Sequence, residues 1–279
     1  MTTRRSFAAS LNTHPAVIAV LHAPPLPGSA RSSLSLAAIT ARVTADAEAA
    51  TLGGADALLL ENFGDAPFAR RRVGPQVIAA MTRLALAVRA VSPLPLGLNV
   101  LRNDACAALA VAHAAGGAFV RVNVLGGVVA TDQGLVTGEA RRVLAFRRRI
   151  GADGEGAISI LADVDVKHGR PLWGESMAGR ARDLAERGGA DALIVTGPAT
   201  GEPPASDHLE LVRVACPRVP LLVGSGLRPD LAPTLLTHAQ GVIAGTDLKV
   251  GGEIAAPIDP ERVAALVRAA RAAWQLDPS

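Results

Sequence analysis

The chain has 279 residues, 49% of them hydrophobic and 19% charged, and its 28 lysines and arginines against 25 aspartates and glutamates leave a formal charge of +3. That balance excludes a disordered or fibrous chain, and the length suffices for a buried core without disulfide or metal staples. Aromatic residues make up only 3%, too few for the stacking platforms of a nucleic-acid binder.

Residues 1–15 read as a lead-in, with Arg4 and Arg5 but no apolar run behind them, so no secretory signal is expected. From there short apolar runs alternate with helical patterns. Strands are expected at 17–22, 57–61, 96–100, 119–123, 157–163, 192–196, 221–224 and 242–245. Helices are expected between them at 35–52, 75–91, 104–115, 138–150, 175–187, 207–215 and 230–238. A last helix opens on Asp259-Pro260, a capping carboxylate followed by a proline at the first helical position, and runs to about Trp274. One phrase recurs: Gly53-Gly54-Ala55-Asp56-Ala57-Leu58 returns as Gly188-Gly189-Ala190-Asp191-Ala192-Leu193, with a weaker copy at Gly116-Gly117-Ala118. Each ends a helix on glycine and opens a strand apolar on both faces.

Strand then helix, eight times over, is the (β/α)8 TIM barrel, an α/β fold. A single domain is expected over 1–279, with the barrel at 16–274. A doubly wound sheet would want a Gly-x-Gly-x-x-Gly turn after its first strand, and none follows 17–22. The apolar stretch 105–130 is broken by His113, Arg121 and Asn123, so no membrane span is expected. Cys106 and Cys216 form neither a disulfide framework nor a zinc spacing, and read as small buried hydrophobes of a cytoplasmic protein.

In a barrel of this kind the C-terminal ends of the strands line the active site. His22 ends the first strand, Glu61 and Asn62 the second, and Asn99 the third, with Arg102 following. The fourth presents Arg121 and Asn123, and the fifth runs out through Asp163, Asp165, Lys167 and His168. Thr196 and Thr200 follow the sixth. Gly224-Ser225-Gly226 and Gly245-Thr246 follow the seventh and eighth, where barrels often bind phosphate on backbone N–H groups, and Lys249 could add a point charge. Only two of the 28 basic residues are lysines, Lys167 and Lys249, and both fall beyond strand ends. If the fifth strand stays extended, Asp163, Asp165 and Lys167 share one face. Asp163 or Glu61 then reads as general base and Lys167 as the group that stabilises an oxyanion, with Arg121 a partner for Glu61 across the barrel. Replacing Lys167 or Asp163 is expected to abolish turnover with little change in melting temperature. No cofactor is expected; Asp163-x-Asp165 offers Mg²⁺ a minor alternative.

Several phrases, in order over nearly the whole chain, resemble the BtpA family. They are Pro24-Pro25-Leu26-Pro27-Gly28-Ser29, Glu61-Asn62-Phe63-Gly64-Asp65-Ala66-Pro67-Phe68, Asn99-Val100-Leu101-Arg102-Asn103-Asp104 and Phe119-Val120-Arg121-Val122-Asn123-Val124. Leu161-Ala162-Asp163-Val164-Asp165-Val166-Lys167-His168, Thr196-Gly197-Pro198-Ala199-Thr200-Gly201 and Gly224-Ser225-Gly226 complete them. Ala30 and Ala23 depart from the usual pattern without touching a candidate catalytic group. The resemblance implies a barrel of the ribulose-phosphate-binding type. It leaves two readings. One is an enzyme that isomerises, epimerises or cleaves a small phosphorylated, sugar-like metabolite, with hydrolysis or glycosyl transfer as neighbouring chemistries. The other is a non-catalytic biogenesis factor of the photosystem I type. The expected partners are that small phosphorylated molecule and, in a homo-oligomer, further copies of the chain.

Overall fold

The computed structural model describes residues 6–11, 15–172, 176–199 and 201–275. Thr200, parts of the lead-in and the first residue of the helix expected at 175–187 lie outside them. Eight parallel strands close into a barrel in chain order: Ala16–His22, Ala57–Glu61, Leu96–Asn99, Phe119–Val122, Ser159–Asp165, Ala192–Val195, Leu221–Val223 and Gly241–Ala244, the last pairing with the first. The intervening helices cover the outside, ending with Pro260–Gln275.

Two apolar layers hold this together. Outward side chains such as Val17, Leu58, Val120 and Leu193 pack under the helices. Inward side chains such as Ile18, Leu59, Phe119, Leu161, Ile194 and Ile243 fill the barrel. A short helix, Phe7–Ser10, closes the floor by stacking Phe7 on Phe119 at 4.1 Å between ring centroids. Gly97 makes room for that ring, since a Cβ there would lie 2.1 Å from Phe119 Cε2.

The repeated Gly-Gly-Ala-Asp phrase has one job at both places. Gly54 and Gly189 adopt φ of +84° and +68° as their helices stop. Asp56 then accepts the Val17 backbone N–H at 2.8 Å, and Asp191 accepts that of Ile160 at 2.7 Å. Each carboxylate ties its own strand to the start of a neighbour, at the barrel end away from the C-terminal mouth.

Three differences from the expected elements bear on the site. The fifth strand extends to Asp165 with a bulge after Asp163: Asp163 pairs with Ile194, yet Asp165 pairs with Val195. The extra residue turns Asp165 away from the barrel interior, so the expected shared face is lost. A small antiparallel sheet of Val128–Thr131, Gly134–Thr137 and Gly169–Pro171 stands beside the mouth, where no strands were expected. The helix expected at 230–238 is only a short 3₁₀ turn, Pro229–Leu231, and one turn of α-helix, Ala232–Leu235, with Pro233 in its first turn. Among the described residues no helix is long and apolar enough to cross a membrane.

Candidate functional site

Strand register assembles the site. His22, Glu61 and Asn99 sit side by side on the first three strands, two residues beyond the inward Val20, Leu59 and Gly97 and alternating with the outward Leu21, Leu60 and Leu98, so all three point into the barrel. Arg121 on the fourth strand and Asp163 on the fifth do the same, one layer above Phe119 and Leu161. Above them opens a cavity of about 280 Å³, lined by His22, Glu61, Arg102, Arg121, Asn123, Lys167 and His168 on one side. Gly224, Ser225, Gly226, Gly245 and Thr246 line the other, with Phe63, Phe68 and Leu101 as an apolar wall and Arg228 and Asp247 at the rim.

Glu61 is 7% exposed and accepts the Asn99 amide at 2.6 Å. The expected pair with Arg121 does not form. Arg121 instead binds Asp163, donating from Nε at 3.2 Å and from one terminal nitrogen at 3.0 and 3.2 Å to the two oxygens. Asn123 donates to the same carboxylate at 2.6 Å. Burial opposes the charge on Arg121, but Asp163 and Glu61 outweigh it and raise the guanidinium pKa above its ordinary value. Asp163 is thereby engaged behind Arg121 and does not line the cavity, which leaves two carboxylates there: Glu61, and Asp247 at the rim, where Arg262 holds it at 3.3 Å.

Lys167 has its pKa lowered to about 8, by burial first and then by Arg121, with Arg102 adding to them and Glu61 and Asp163 opposing. Burial, helped by Lys249, Lys167 and Arg121, lowers the His22 imidazole to about 3, so the ring is neutral at working pH. Its Nδ1 is buried without a hydrogen-bond partner, as is Asn123 Oδ1. Both residues line the cavity. Buried polar atoms without partners are rare in folded proteins.

Other expected site residues serve the scaffold. Asn62 donates to Asp65 at 2.9 Å and accepts the Leu101 N–H at 2.7 Å, while Asp65 accepts the Leu26 N–H at 2.8 Å. Together they lock the first three loops, and Asn99 acts only through Glu61. Asp165, turned outward by the bulge, pairs with Arg180 at 2.7 Å. Asp163 and Asp165 therefore point to opposite sides, each held by an arginine, and cannot clamp one Mg²⁺. Among the described residues no group of three His, Cys, Asp or Glu could hold a metal ion. Thr196 donates to the Asp165 carbonyl at 2.8 Å outside the cavity. Lys249 is 2% exposed and spent on Asp46, so it is withdrawn from the expected phosphate set. His168 stands at the rim, exposed, with φ of 55°.

The two glycine turns do face one cavity. Gly226 has φ of +69°, and a Cβ there would lie 2.3 Å from the Glu202 carbonyl carbon. A Cβ at Gly245 would lie 2.6 Å from His22 Cε1. The bare backbones thus press against neighbours that a side chain would displace. Arg102 is a residue that the sequence places beyond a strand end without assigning it a role. It follows the third strand inside a quoted phrase, but only the fold shows its guanidinium donating to the Lys167 carbonyl at 2.6 Å.

The family model of the BtpA family matches residues 13–272. The Photosystem I biogenesis protein BtpA of Synechocystis is 44% identical over 97% of this chain and 93% of its own length. An uncharacterized protein of Pyrococcus furiosus is 42% identical over 90% of this chain and 93% of its own. Among solved structures, (S)-3-O-geranylgeranylglyceryl phosphate synthase of Thermoplasma acidophilum, in complex with sn-glycerol-1-phosphate, superposes with a TM-score of 0.59. It covers 96% of this chain and 100% of that one at 14% identity, a likeness of fold. The chain belongs to the BtpA family.

Proposed function

We propose that this BtpA-family barrel is a cytoplasmic enzyme for a small phosphorylated, sugar-like metabolite, moving a proton at a carbon beside a carbonyl in an isomerisation, epimerisation or aldol-type cleavage. One observation carries the reading: Glu61, Lys167 and both glycine turns line a single cavity. The Gly224 N–H is taken by the Val195 carbonyl at 2.8 Å and the Ser225 hydroxyl by that of Glu202 at 3.2 Å, so the backbone N–H groups of 225–226 and 245–246, with the Thr246 hydroxyl, hold the phosphate. Glu61 removes the proton from carbon, and the electron pair moves onto the carbonyl oxygen. Lys167, largely protonated at neutral pH with its pKa near 8, stabilises that oxyanion. For isomerisation the proton then returns to the adjacent carbon, and for epimerisation to the opposite face of the same carbon. In an aldol-type cleavage Glu61 instead takes the proton of the β-hydroxyl, whose carbon leaves as a carbonyl while the electron pair of the broken carbon–carbon bond passes onto the same oxyanion. Arg121, fixed by Asp163, orients substrate oxygens, and Asn123 offers its free Oδ1 to a hydroxyl. Two free, buried cysteines suit a reducing compartment.

The test is a thermal-shift screen of phosphorylated sugars and polyols against their unphosphorylated counterparts. A ligand at a hundredfold excess over its dissociation constant stabilises the native state by about 2.7 kcal/mol. The shift should require the phosphate and shrink in a Thr246→Ala variant, and Lys167→Met should bind but not turn over. No response across the panel would refute the reading. The name of the Synechocystis relative favours a second reading, a biogenesis factor. Specific recovery of one partner protein, together with a silent ligand panel, would establish it.

A further inference from the structure

The cavity carries more positive charge than the phosphate site accounts for. Arg121 is neutralised by Asp163, Arg228 at the rim by Asp230, and Lys249 behind the wall by Asp46. Arg102 and Lys167 are different. Among the described residues no carboxylate comes within salt-bridge distance of either, although Arg102 is only 8% exposed. Arg102 donates from one terminal nitrogen to the Lys167 carbonyl at 2.6 Å, which sets the two residues side by side with the remaining guanidinium N–H groups uncommitted to any carboxylate. Burial lowers the pKa of the guanidinium, yet an arginine keeps its charge. Buried charges are ordinarily paired, and here the partner is missing from the described residues.

The ring order says where this pair lies. Arg102 follows the third strand and Lys167 the fifth, whereas the glycine turns follow the seventh and eighth, across the eight-stranded ring. Among the described residues Glu61 is the one facing carboxylate not already held by a cation, so two cations stand against one anion on this wall.

We propose that the substrate has two anionic ends, a phosphate at the glycine turns and a carboxylate held by Arg102 and Lys167 on the opposite wall. The inference rests on the phosphate reading above and narrows it to a phosphorylated hydroxy or keto acid. One carboxylate balances the charge, and a guanidinium offers it two parallel N–H groups in one plane. The carboxylate then lies beside the carbon from which Glu61 takes a proton.

Isothermal titration of the full chain with D-3-phosphoglycerate and with sn-glycerol 1-phosphate tests this, because the two ligands share their configuration at C2 and differ only in a carboxylate against a hydroxymethyl group. Wild type should bind the carboxylated ligand about tenfold or more tightly. That preference should fall to about one in Arg102→Gln, fall in Lys167→Met, and survive in part in Arg102→Lys. The ratio is taken within each variant, so a general loss of stability does not imitate the effect, and Lys167→Met decides the matter should Arg102→Gln not fold. Equal affinities in wild type, or an undiminished preference in the variants, would overturn the inference while leaving the phosphate site standing. If inorganic phosphate and both ligands fail to bind, the inference falls together with the proposed function.

Discussion

Replacing Asp163 with Asn removes one charge and almost no volume, so it isolates the electrostatics beneath the cavity. Asp163 and Arg121 have side-chain exposures of 0% and 6%, and Asp163 accepts three hydrogen bonds from Arg121 and one from Asn123. An amide oxygen can keep part of this set, but its NH₂ group meets donors, and the guanidinium is left buried without its counter-ion. Breaking a buried pair on one side costs about 3–5 kcal/mol. For a chain this long, about 2 °C of melting temperature is lost per kcal/mol, so Asp163→Asn should melt about 6–10 °C below wild type by calorimetry. That reverses the expectation from sequence, which treated Asp163 as a cavity-facing carboxylate whose loss would spare stability. Replacing Arg121 with Gln as well removes the orphaned charge, so the double variant should be more stable than the sum of the single effects. An Asp163→Asn variant that melts within about 2 °C of wild type would refute the reasoning.

Lys167 and Lys249 are the chain's only lysines, so Nζ-labelled NMR gives two signals, and the one lost in Lys167→Met should titrate near pH 8. The lowered folded-state value means that the unfolded chain binds more protons, so this group's contribution to stability rises from about pH 8 to about pH 10.5; a signal titrating at 10.5 would contradict the burial that causes it. Lys249→Met should cost about 3–5 kcal/mol by stranding Asp46, seen as a lower melting temperature with the phosphate-dependent shift intact; loss of that shift would return Lys249 to the anion site. Gly226→Ala should cost at least about 1–3 kcal/mol in backbone strain alone, since its φ is +69° and its Cβ would meet the Glu202 backbone, and it should abolish the phosphate response.

The barrel was legible because its signals are local and repeated. A parallel strand buried on both faces is a continuous apolar run, and the glycine stop before it marks the boundary almost to the residue, as at Ala57 and Ala192. The hairpin at Val128–Thr131 and Gly134–Thr137 went unread because its strands are four residues long and its apolar residues continue the run before them. At the site, period two placed Glu61, Arg121 and Asp163 inside correctly. It failed at Asp165, where one bulged residue reverses the facing, a change that composition does not announce. Partner choice was the least legible. Glu61 and Asp163 are both inward carboxylates near Arg121, and only the spacing of adjacent fourth and fifth strands decides that Asp163 takes the guanidinium. The lysines illustrate the same limit: both lie beyond strand ends, but one faces the cavity and the other is sealed against Asp46.

The most direct measurement is a crystal structure of the chain grown with a tight phosphorylated ligand from the screen. The expected density places the phosphate within hydrogen-bond distance of the backbone N–H groups at 225–226 and 246, and the reacting carbon between Glu61 and Lys167. A ligand bound elsewhere, or a phosphate lying on the Arg102 side with the glycine turns untouched, would contradict the proposed anion pocket.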